Sequence, residues 1–358
     1  MAAAPAPPEI SALGRADMRL ASLALPLTTF AILSYEIVLT RLFAYTFTYH
    51  LTALAVSFAI FGLGAGAYLR VRWLSQRPQH SLAVFAHAGA GLSLIALYVA
   101  LMLTNNPAVV VAASAAPFVF AGIALSHYYE TRRSERAAAT YALDLAGAAA
   151  ACAVSVALIV SVGADGALLL LAAFSGAVAL LTVARADSDR RTGLVACAAA
   201  CVLLAAGGSL LRSGMPDPLL NRHSGADKQL PRLLREQGEV IDTAWSAVGR
   251  ADLYRTPRDP DRLIFSDAMN TTVFLADTPE GLKNLFASLM YTTAPVHNAL
   301  IIGSGAGLEV RVARDAGVPH VDAVEFNDAI IRLVRKWQSF GGPIYDQPGV
   351  TLFAEEGR

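Results

Sequence analysis

The first part of the chain consists of long apolar runs separated by short polar loops. A helix that crosses the hydrocarbon core of a bilayer needs about 20 predominantly apolar residues. Seven runs meet this length, at residues 20–40, 47–69, 82–103, 107–127, 138–162, 164–184 and 193–211. After an amino-terminal leader at 1–19, the pattern therefore predicts an α-helical membrane domain of about seven transmembrane helices over residues 20–212.

In the second part of the chain the apolar runs become short. Residues 213–238 are polar and contain three prolines, which is typical of a linker. Residues 239–296 alternate apolar and polar positions on both sides of the turn signal RDPDR, which predicts a β-rich hairpin region that ends in a short helix. Residues 297–358 follow the order strand, glycine turn, helix and strand, which predicts part of an α/β, Rossmann-like domain.

Charged residues are few and unevenly distributed. They make up 16% of the 358 residues, against about 25% in soluble globular domains. Residues 20–211 carry 17 Asp, Glu, Lys and Arg side chains, and residues 213–358 carry 34. The totals of 28 basic and 28 acidic residues cancel, so the charge predicts no nucleic-acid partner, whereas the low charge and the apolar runs predict the lipid bilayer as a partner.

The three cysteines lie inside apolar runs and have neither CxxC spacing nor a neighbouring histidine. This arrangement is typical of small core residues, so the sequence predicts neither a disulfide framework nor a metal site.

Arginines distinguish the two ends of the predicted helix bundle. The loops after the second, fourth and sixth apolar runs carry three arginines each, whereas the loops at 104–106 and 163–165 carry no basic residue. The positive-inside rule then predicts a cytoplasmic amino terminus. An odd number of crossings would deliver the second part of the chain to the opposite face, a consequence that depends on the number of spans.

Ionisable residues inside the predicted spans are expensive in lipid, so we expect them to face protein or water. Glu36 and Asp144 are the main candidates, and each has a tyrosine close by, at Tyr35 and Tyr141. Two interpretations stay open for them: a working site within the membrane, or hydrogen bonds that hold neighbouring helices together.

A glycine motif lies between a predicted strand at 298–302 and a predicted helix at 308–316. Gly303, Gly305 and Gly307 form the turn GSGAG, and Glu325 ends a second predicted strand, 18 residues after the last of these glycines. Glycines let the backbone approach a ligand, and an acidic residue at this distance can accept hydrogen bonds from two ribose hydroxyls. The spacing favours a nucleotide-type ligand, and a purely structural glycine turn is the alternative.

A third predicted strand at 350–354 is followed closely by Glu356. A parallel sheet is normally covered by helices on both faces and has more than three strands. We therefore expect the Rossmann-like domain to be incomplete at the carboxyl terminus of this sequence, and the reading frame to continue with further strands.

Several motifs together resemble the spermidine synthase (polyamine aminopropyltransferase) family. ALIIGSGAG, VDAVEFND and GVTLFAEEGR resemble its S-adenosylmethionine-type domain. SYEIVLTRLF, YALDLAGAAA and TAWSAVGRADLYR are similar to bacterial members that are fused to a membrane domain, so the resemblance spans most of the chain. It implies an integral protein of the bacterial cytoplasmic membrane with a methyltransferase-type fold, which binds S-adenosylmethionine or its decarboxylated form and no metal.

The resemblance also implies roles for individual residues. The glycines would line the methionine side of the cofactor, Glu325 would hold the ribose, and Glu356 would lie near the adenine. The implied cofactor-binding set is Gly303, Ser304, Gly305, Gly307, Glu325 and Glu356. The stretch SDAMNTT stands where the family has a hairpin over the substrate, which makes Asp267 and Asn270 candidates on the substrate side, and a plain hairpin is the alternative.

The chain also departs from the family pattern. Ala306 stands where the family has an acidic residue in the glycine loop, and FASLMYTT lacks the Tyr-His-Glu stretch that precedes the first strand. The implied function is a membrane-bound aminopropyltransferase with a small-molecule acceptor. The alternatives are an S-adenosylmethionine-dependent methyltransferase that acts on a membrane-associated acceptor, and a transporter or sensor with a regulatory nucleotide domain. A homo-oligomer is compatible with all three.

Overall fold

A computed structural model describes most of the chain. The described residues are 12–47, 49–104, 106–131, 137–215, 217–220, 228–236, 238–257, 259–276, 282 and 286–357. They divide into two compact units. Unit 1 comprises Met1–Leu42, His50–Leu158 and Ala164–Leu219, and unit 2 comprises Phe43–Tyr49, Ile159–Gly163 and Leu220–Arg358.

The first part of the chain is helical. Six helices in the described residues are long and apolar enough to cross a membrane, which makes the chain an integral membrane protein by length and composition. They are α1 (Ala12–Thr46), α2 (Tyr49–Trp73), α3 (Gln79–Leu103), α4 (Pro107–Thr131), α5 (Ala137–Thr182) and α6 (Ser188–Leu211). Helix α1 begins inside the predicted leader, most of which lies outside the described residues.

Helix α5 combines the fifth and sixth predicted spans and contains a sharp break. Gly163 has φ 77° and ψ 164°, which is not helical. Asp144 accepts a hydrogen bond from Thr29, and the ring of Phe174 lies 5.1 Å from that of Phe30. A straight helix would separate residues 144 and 174 by about 45 Å, so the chain reverses direction between them. The predicted number of seven spans stays a prediction, since the described residues hold six such helices.

Glycines in the small-residue runs bring helix backbones close together. A Cβ atom added at Gly66 would lie 2.0 Å from the carbonyl oxygen of Val119 in α4, and one added at Gly147 would lie 2.3 Å from that of Pro26 in α1. Small residues let helices approach where lipid provides no hydrophobic drive between them.

The ends of the helices in unit 1 are joined by polar contacts. Ser81 Oγ donates a hydrogen bond to Asp187 Oδ2 at 2.6 Å, which joins the start of α3 to the start of α6. The guanidinium of Arg212, just after α6, donates to both carboxylate oxygens of Asp165, at 2.6 and 2.8 Å. The loops on either side of α6 are therefore tied to α3 at one end and to α5 at the other.

In the Leu220–Arg358 segment of unit 2, the first helix in the described residues is the short α7 (Gln229–Leu234), which lies within the predicted linker. A four-stranded antiparallel sheet follows in the order β1-β2-β3-β4. Its strands are β1 (Glu239–Trp245), β2 (Arg250–Arg255), β3 (Arg262–Ser266) and β4 (Asn270–Phe274). Asp267 and Ala268, between β3 and β4, have φ of 47° and 58°, the sign that a tight hairpin turn requires. The predicted hairpin region is thus confirmed as strands.

The last part of the chain forms a three-stranded parallel sheet in the order β5-β6-β7. Its elements are β5 (Asn298–Ile302), α8 (Leu308–Asp315), β6 (His320–Val324), α9 (Asp328–Lys336), α10 (Gln338–Gly341) and β7 (Val350–Phe353). The helix predicted before β5 is a 3₁₀ helix at Phe286–Tyr291, and residues 277–281 and 283–285 lie outside the described part.

One hydrophobic core joins the two sheets of unit 2. Ala251, Ile264 and Phe274 of the antiparallel sheet belong to the same buried cluster as Val310 of α8 and Ala323 of β6. Alternate residues of β5 and β6 are exposed on the other face of the parallel sheet. The parallel sheet therefore has one buried face and one open face in the described residues.

Candidate functional site

The glycine turn lies at the carboxyl end of β5 and requires glycine at three positions. Gly303, Gly305 and Gly307 have φ of 74°, 57° and 83°, which L side chains rarely adopt. A Cβ atom at Gly305 would lie 2.5 Å from Thr272 Oγ1, and one at Gly307 would lie 2.3 Å from the side chain of Ile344. A Cβ atom at Gly303 would meet nothing within 4 Å among the described residues. Close packing thus explains two of the glycines, and Gly303 alone presents open backbone.

Glu325 lies directly after β6 and holds the glycine turn. Its Oε2 accepts a hydrogen bond from Gly305 N at 2.8 Å, and its Oε1 accepts one from Asn327 N at 2.7 Å. A carboxylate has about four lone-pair positions, so each oxygen keeps one acceptor position beyond these two bonds. The structure therefore brings together the two parts of the motif that the spacing of the sequence predicted to be close.

Asn327 links this edge of the parallel sheet to the antiparallel sheet. Its Oδ1 accepts from Ala329 N, which caps the start of α9, and from Ser246 Oγ at 2.8 Å. Its Nδ2 donates to Ser266 Oγ at 3.2 Å, at the end of β3. The hairpin between β3 and β4 is thereby held close to the carboxyl end of β6.

Tyr345 closes the glycine turn from another side. Its hydroxyl is 2.9 Å from Ser304 Oγ and donates to the carbonyl oxygen of Gly305 at 2.5 Å. Burial raises the pKa of Tyr345, so its hydroxyl stays protonated and serves as a donor. The Ala306 N–H donates to Thr272 Oγ1 at 3.0 Å. Ser304 is fully buried, so the structure assigns it to holding the turn.

The predicted substrate-side residues have different surroundings. Asp267 is half-buried, and its Oδ1 accepts from Arg250 N at 3.0 Å. Its carbonyl oxygen accepts from Lys228 Nζ at 2.8 Å, and burial lowers the pKa of Lys228. Asn270 is exposed at the start of β4, and Glu356 is exposed after β7. Asp267 therefore stabilises its own hairpin, and Asn270 has a side chain in solvent.

A buried ion pair in β2 was not predicted from the sequence. Arg250 is 1% exposed and Asp252 is fully buried, and their side chains are 2.8 Å apart. Asp252 also accepts from the hydroxyls of Thr243 and of Tyr45, which lies in the Phe43–Tyr49 segment of unit 2, at 2.7 Å each. The alternation of apolar and polar residues in RADLYR indicated a strand, but it does not show whether the polar face of that strand is solvated or buried.

The intramembrane candidates lie in unit 1. Asp144 accepts a hydrogen bond from Thr29 in α1. Glu36 is half-buried, and in the described part of the chain no hydrogen bond to its carboxylate is seen. The neighbouring Tyr35 donates to the carbonyl oxygen of Ser114 at 2.8 Å. For Asp144 the contacts favour the interpretation as a link between helices.

Across the residues that the structure describes, no group of three His, Cys, Asp or Glu side chains is arranged to hold a metal ion. Comparisons of this chain with known protein families, with curated proteins and with solved structures found no match.

Proposed function

We propose that the protein is a membrane-bound transferase whose unit 2 binds S-adenosylmethionine or its decarboxylated form at the carboxyl edge of the parallel sheet. The proposal rests on a Rossmann-like interpretation of β5, β6 and β7, which are consecutive parallel neighbours connected through helices. In such sheets, ligands bind outside the carboxyl ends of the strands. The glycine turn and Glu325 lie at that edge.

The single observation that carries the proposal is the geometry of Glu325. The carboxylate is anchored by the backbone of Gly305 and Asn327, at 2.8 and 2.7 Å, and its remaining lone pairs suit two adjacent hydroxyls of a ribose. Only 7% of the residue is exposed, so a ribose would reach it through the open side of the turn, at Gly303.

The described residues fit the cofactor on one side. Gly303 would allow close approach to its backbone, Glu325 would hold the ribose, and the exposed Glu356 would lie near the adenine. When bound, the cofactor would supply an electrophilic carbon next to its sulfonium. These residues would bind and orient the cofactor. None of them is assigned as the base that would deprotonate the acceptor.

A binding experiment on the purified full-length protein tests the proposal. Gly303→Ala places a methyl group where the ligand would approach, so we expect the affinity for S-adenosylmethionine, measured by calorimetry, to fall by about tenfold or more through a lost close contact. Gly317→Ala is the matched control, because Gly317 also has a positive φ, 86°, and open space around it, but lies between α8 and β6 at the other edge.

The two variants separate a ligand site from a structural turn. Equal binding by both, at equal thermal stability, contradicts the proposal. Glu325→Ala removes the predicted ribose acceptor and should also lower the affinity by roughly tenfold or more. The stability of this variant must be measured alongside, since two backbone N–H groups lose their partner.

The group transferred is decided by a paired activity assay. A dicationic acceptor such as putrescine needs carboxylates to replace its hydration, and Ala306 and FASLMYTT provide none. We therefore expect little spermidine from decarboxylated S-adenosylmethionine and putrescine. Methyl transfer from S-adenosylmethionine to a component of a membrane extract would support the methyltransferase alternative, whereas rapid spermidine formation would support the aminopropyltransferase.

We propose further that the membrane part crosses the bilayer seven times. The reversal of α5 at Gly163 supports this number, because its two arms, 137–162 and 164–182, are each long enough for one crossing. The hydrogen bond that Asp144 accepts from Thr29 gives the transporter alternative no support of its own.

A further inference from the structure

A cavity of about 570 Å³ opens on unit 1, where helices α3 and α6 begin. Its polar lining includes Arg77, Arg190 and Asp189, and its apolar lining includes Leu82, Phe85 and Leu194. A volume of this size lies within the range of small-molecule sites, which is roughly 300–1,000 Å³. The cavity is far from the glycine turn in sequence and shares no residue with it.

The polar side of the cavity suits an anion. Arg77 and Arg190 are exposed, and among the described residues neither guanidinium has a hydrogen-bond or ion-pair partner. Helix α3 also begins here, without a side-chain cap and without an acidic residue in its first turn, so its first N–H groups add positive potential. Asp189 offsets one of the two arginine charges, and Asp187, which is bonded to the lining residue Ser81, offsets part of the other, which favours a ligand with a single negative charge.

The cavity walls are held in place by hydrogen bonds. The two N–H groups of Gln79 Nε2 are shared among three carbonyl oxygens of the preceding turn, those of Leu74, Ser75 and Arg77, at 3.0, 3.2 and 2.7 Å. Ser81 and Asp187 connect α3 to α6 at 2.6 Å. The two arginine-bearing segments are therefore preorganised, which reduces the entropic cost of binding.

The other side of the cavity suits hydrocarbon. Phe85 is 48% exposed on a helix that is otherwise largely buried, and it lies next to Leu82 in the lining. Both residues follow the start of α3 and therefore lie deeper along the helix than Arg77. An anion-binding polar end above an apolar wall, at the end of a membrane helix, matches an anionic amphiphile rather than a free anion.

We propose that this cavity binds an anionic phospholipid, with its phosphate between Arg77 and Arg190 and one acyl chain along Leu82 and Phe85. Arginine is well suited to this role, because its planar guanidinium can donate two parallel hydrogen bonds to a phosphate. The site is independent of the proposed cofactor function and needs no particular orientation of the protein in the membrane.

Lipid binding by the purified full-length protein tests the proposal. Titration in detergent with phosphatidylglycerol and with phosphatidylcholine of equal chain length, followed by native mass spectrometry, should show preferential binding of phosphatidylglycerol. Each arginine near a lipid phosphate is worth about 1 kcal/mol, so R77Q with R190Q should reduce that preference by roughly thirtyfold. The control R72Q removes an exposed arginine from the same segment that does not line the cavity, and should leave the preference unchanged.

A second pair of variants fills the cavity without changing its charge. Gly193 lines the cavity and has open space around it, so Gly193→Phe should displace the lipid. Gly207 lies on the same helix, also in open space, and Gly207→Phe should retain the lipid. Equal binding of both lipids, loss of binding in R72Q alone, or inhibition by millimolar inorganic phosphate as strong as by phosphatidylglycerol would each overturn the proposal.

Discussion

At the scale of single residues, Asp242 shows how one carboxylate can stabilise unit 2. Its Oδ2 accepts from Trp337 Nε1 and from Lys336 Nζ, at 2.7 Å each, which joins β1 to the end of α9. Burial by itself raises the pKa of Asp242, but the hydrogen bonds from Lys336 and Trp337 outweigh it and hold the pKa below its ordinary value of 3.8.

We expect D242N to lower the free energy of unfolding by about 1.5–3 kcal/mol at pH 7, the usual contribution of hydrogen bonds to a charged group. The folded-state pKa lies below the unfolded one, so this stability is present above about pH 4 and is lost as the pH falls through the folded pKa. Denaturant unfolding at pH 7, 5 and 3 measures it. D322N, at an exposed position of β6, is the control and should change little at any pH.

Part of the candidate site could be predicted from the sequence at this scale. The spacing between the glycines and Glu325 predicted their proximity, because a strand, a helix and a second strand bring the two ends to one edge. Tyr345 and Thr272 could not be predicted, since they contact the turn from 40 and 34 residues away without any repeating pattern. Such contacts depend on how the two sheets pack.

At the scale of elements, the two glycines of FGLGAGA that bracket Ala65 have different surroundings. A Cβ atom at Gly66 would lie 2.0 Å from a carbonyl oxygen of α4, whereas one at Gly64 would meet nothing within 4 Å in the described residues. Backbone cannot yield as a flexible side chain can, so Gly66→Ala should force α2 and α4 apart and cost about 1–3 kcal/mol. Thermal unfolding in detergent should show a lower Tm for Gly66→Ala than for Gly64→Ala, and an equal Tm would contradict close packing at Gly66.

The break in α5 also depends on one glycine. The φ and ψ of Gly163, 77° and 164°, belong to a region that is essentially restricted to glycine, and a side chain there costs about 1–3 kcal/mol. Gly163→Ala should therefore lower the Tm. Gly207→Ala, in open space within α6, should leave the Tm unchanged or raise it, because alanine is the better helix former. A stable Gly163→Ala protein would mean that α5 does not need its break.

The boundaries of elements were predictable to different degrees. The strand β5 was predicted at its observed residues, since its apolar run is bounded by a proline and a glycine turn. The fifth and sixth spans were predicted as separate helices on either side of residue 163, and the structure has a non-helical break at Gly163 between the two helical arms of α5. The tight turn between β3 and β4 could not be located from a glycine in the sequence, because its two residues with positive φ are Asp267 and Ala268.

At the scale of the whole molecule, the division of the chain was predictable from charge and apolar length, and the joining of the arginine-rich loops was not. Arg70 at the end of α2 pairs with Glu130 at the end of α4, and Ser81 bonds to Asp187 before α6. These contacts bring the helix ends next to the arginine-rich loops together at one end of unit 1. Arg212, just after α6, pairs with Asp165 at the start of the second arm of α5, and these helix ends carry fewer basic residues.

Labelling of single cysteines in intact cells tests the topology, after the three native cysteines are replaced. Cysteine at Ser75 or Ser188, in the arginine-rich segments, should be inaccessible to an impermeant reagent from outside, and cysteine at Ala108 should be accessible, because the positive-inside rule places arginines in the cytoplasm.

Cysteine at Thr351, exposed on β7, reports the face of unit 2. Seven crossings from a cytoplasmic amino terminus predict that it reacts from outside. The cofactor proposal predicts the reverse, since adenosyl cofactors are cytoplasmic. External labelling at 351 would support seven crossings and contradict the cofactor proposal, whereas protection there, with Ala108 accessible, would support the cofactor proposal and contradict seven crossings.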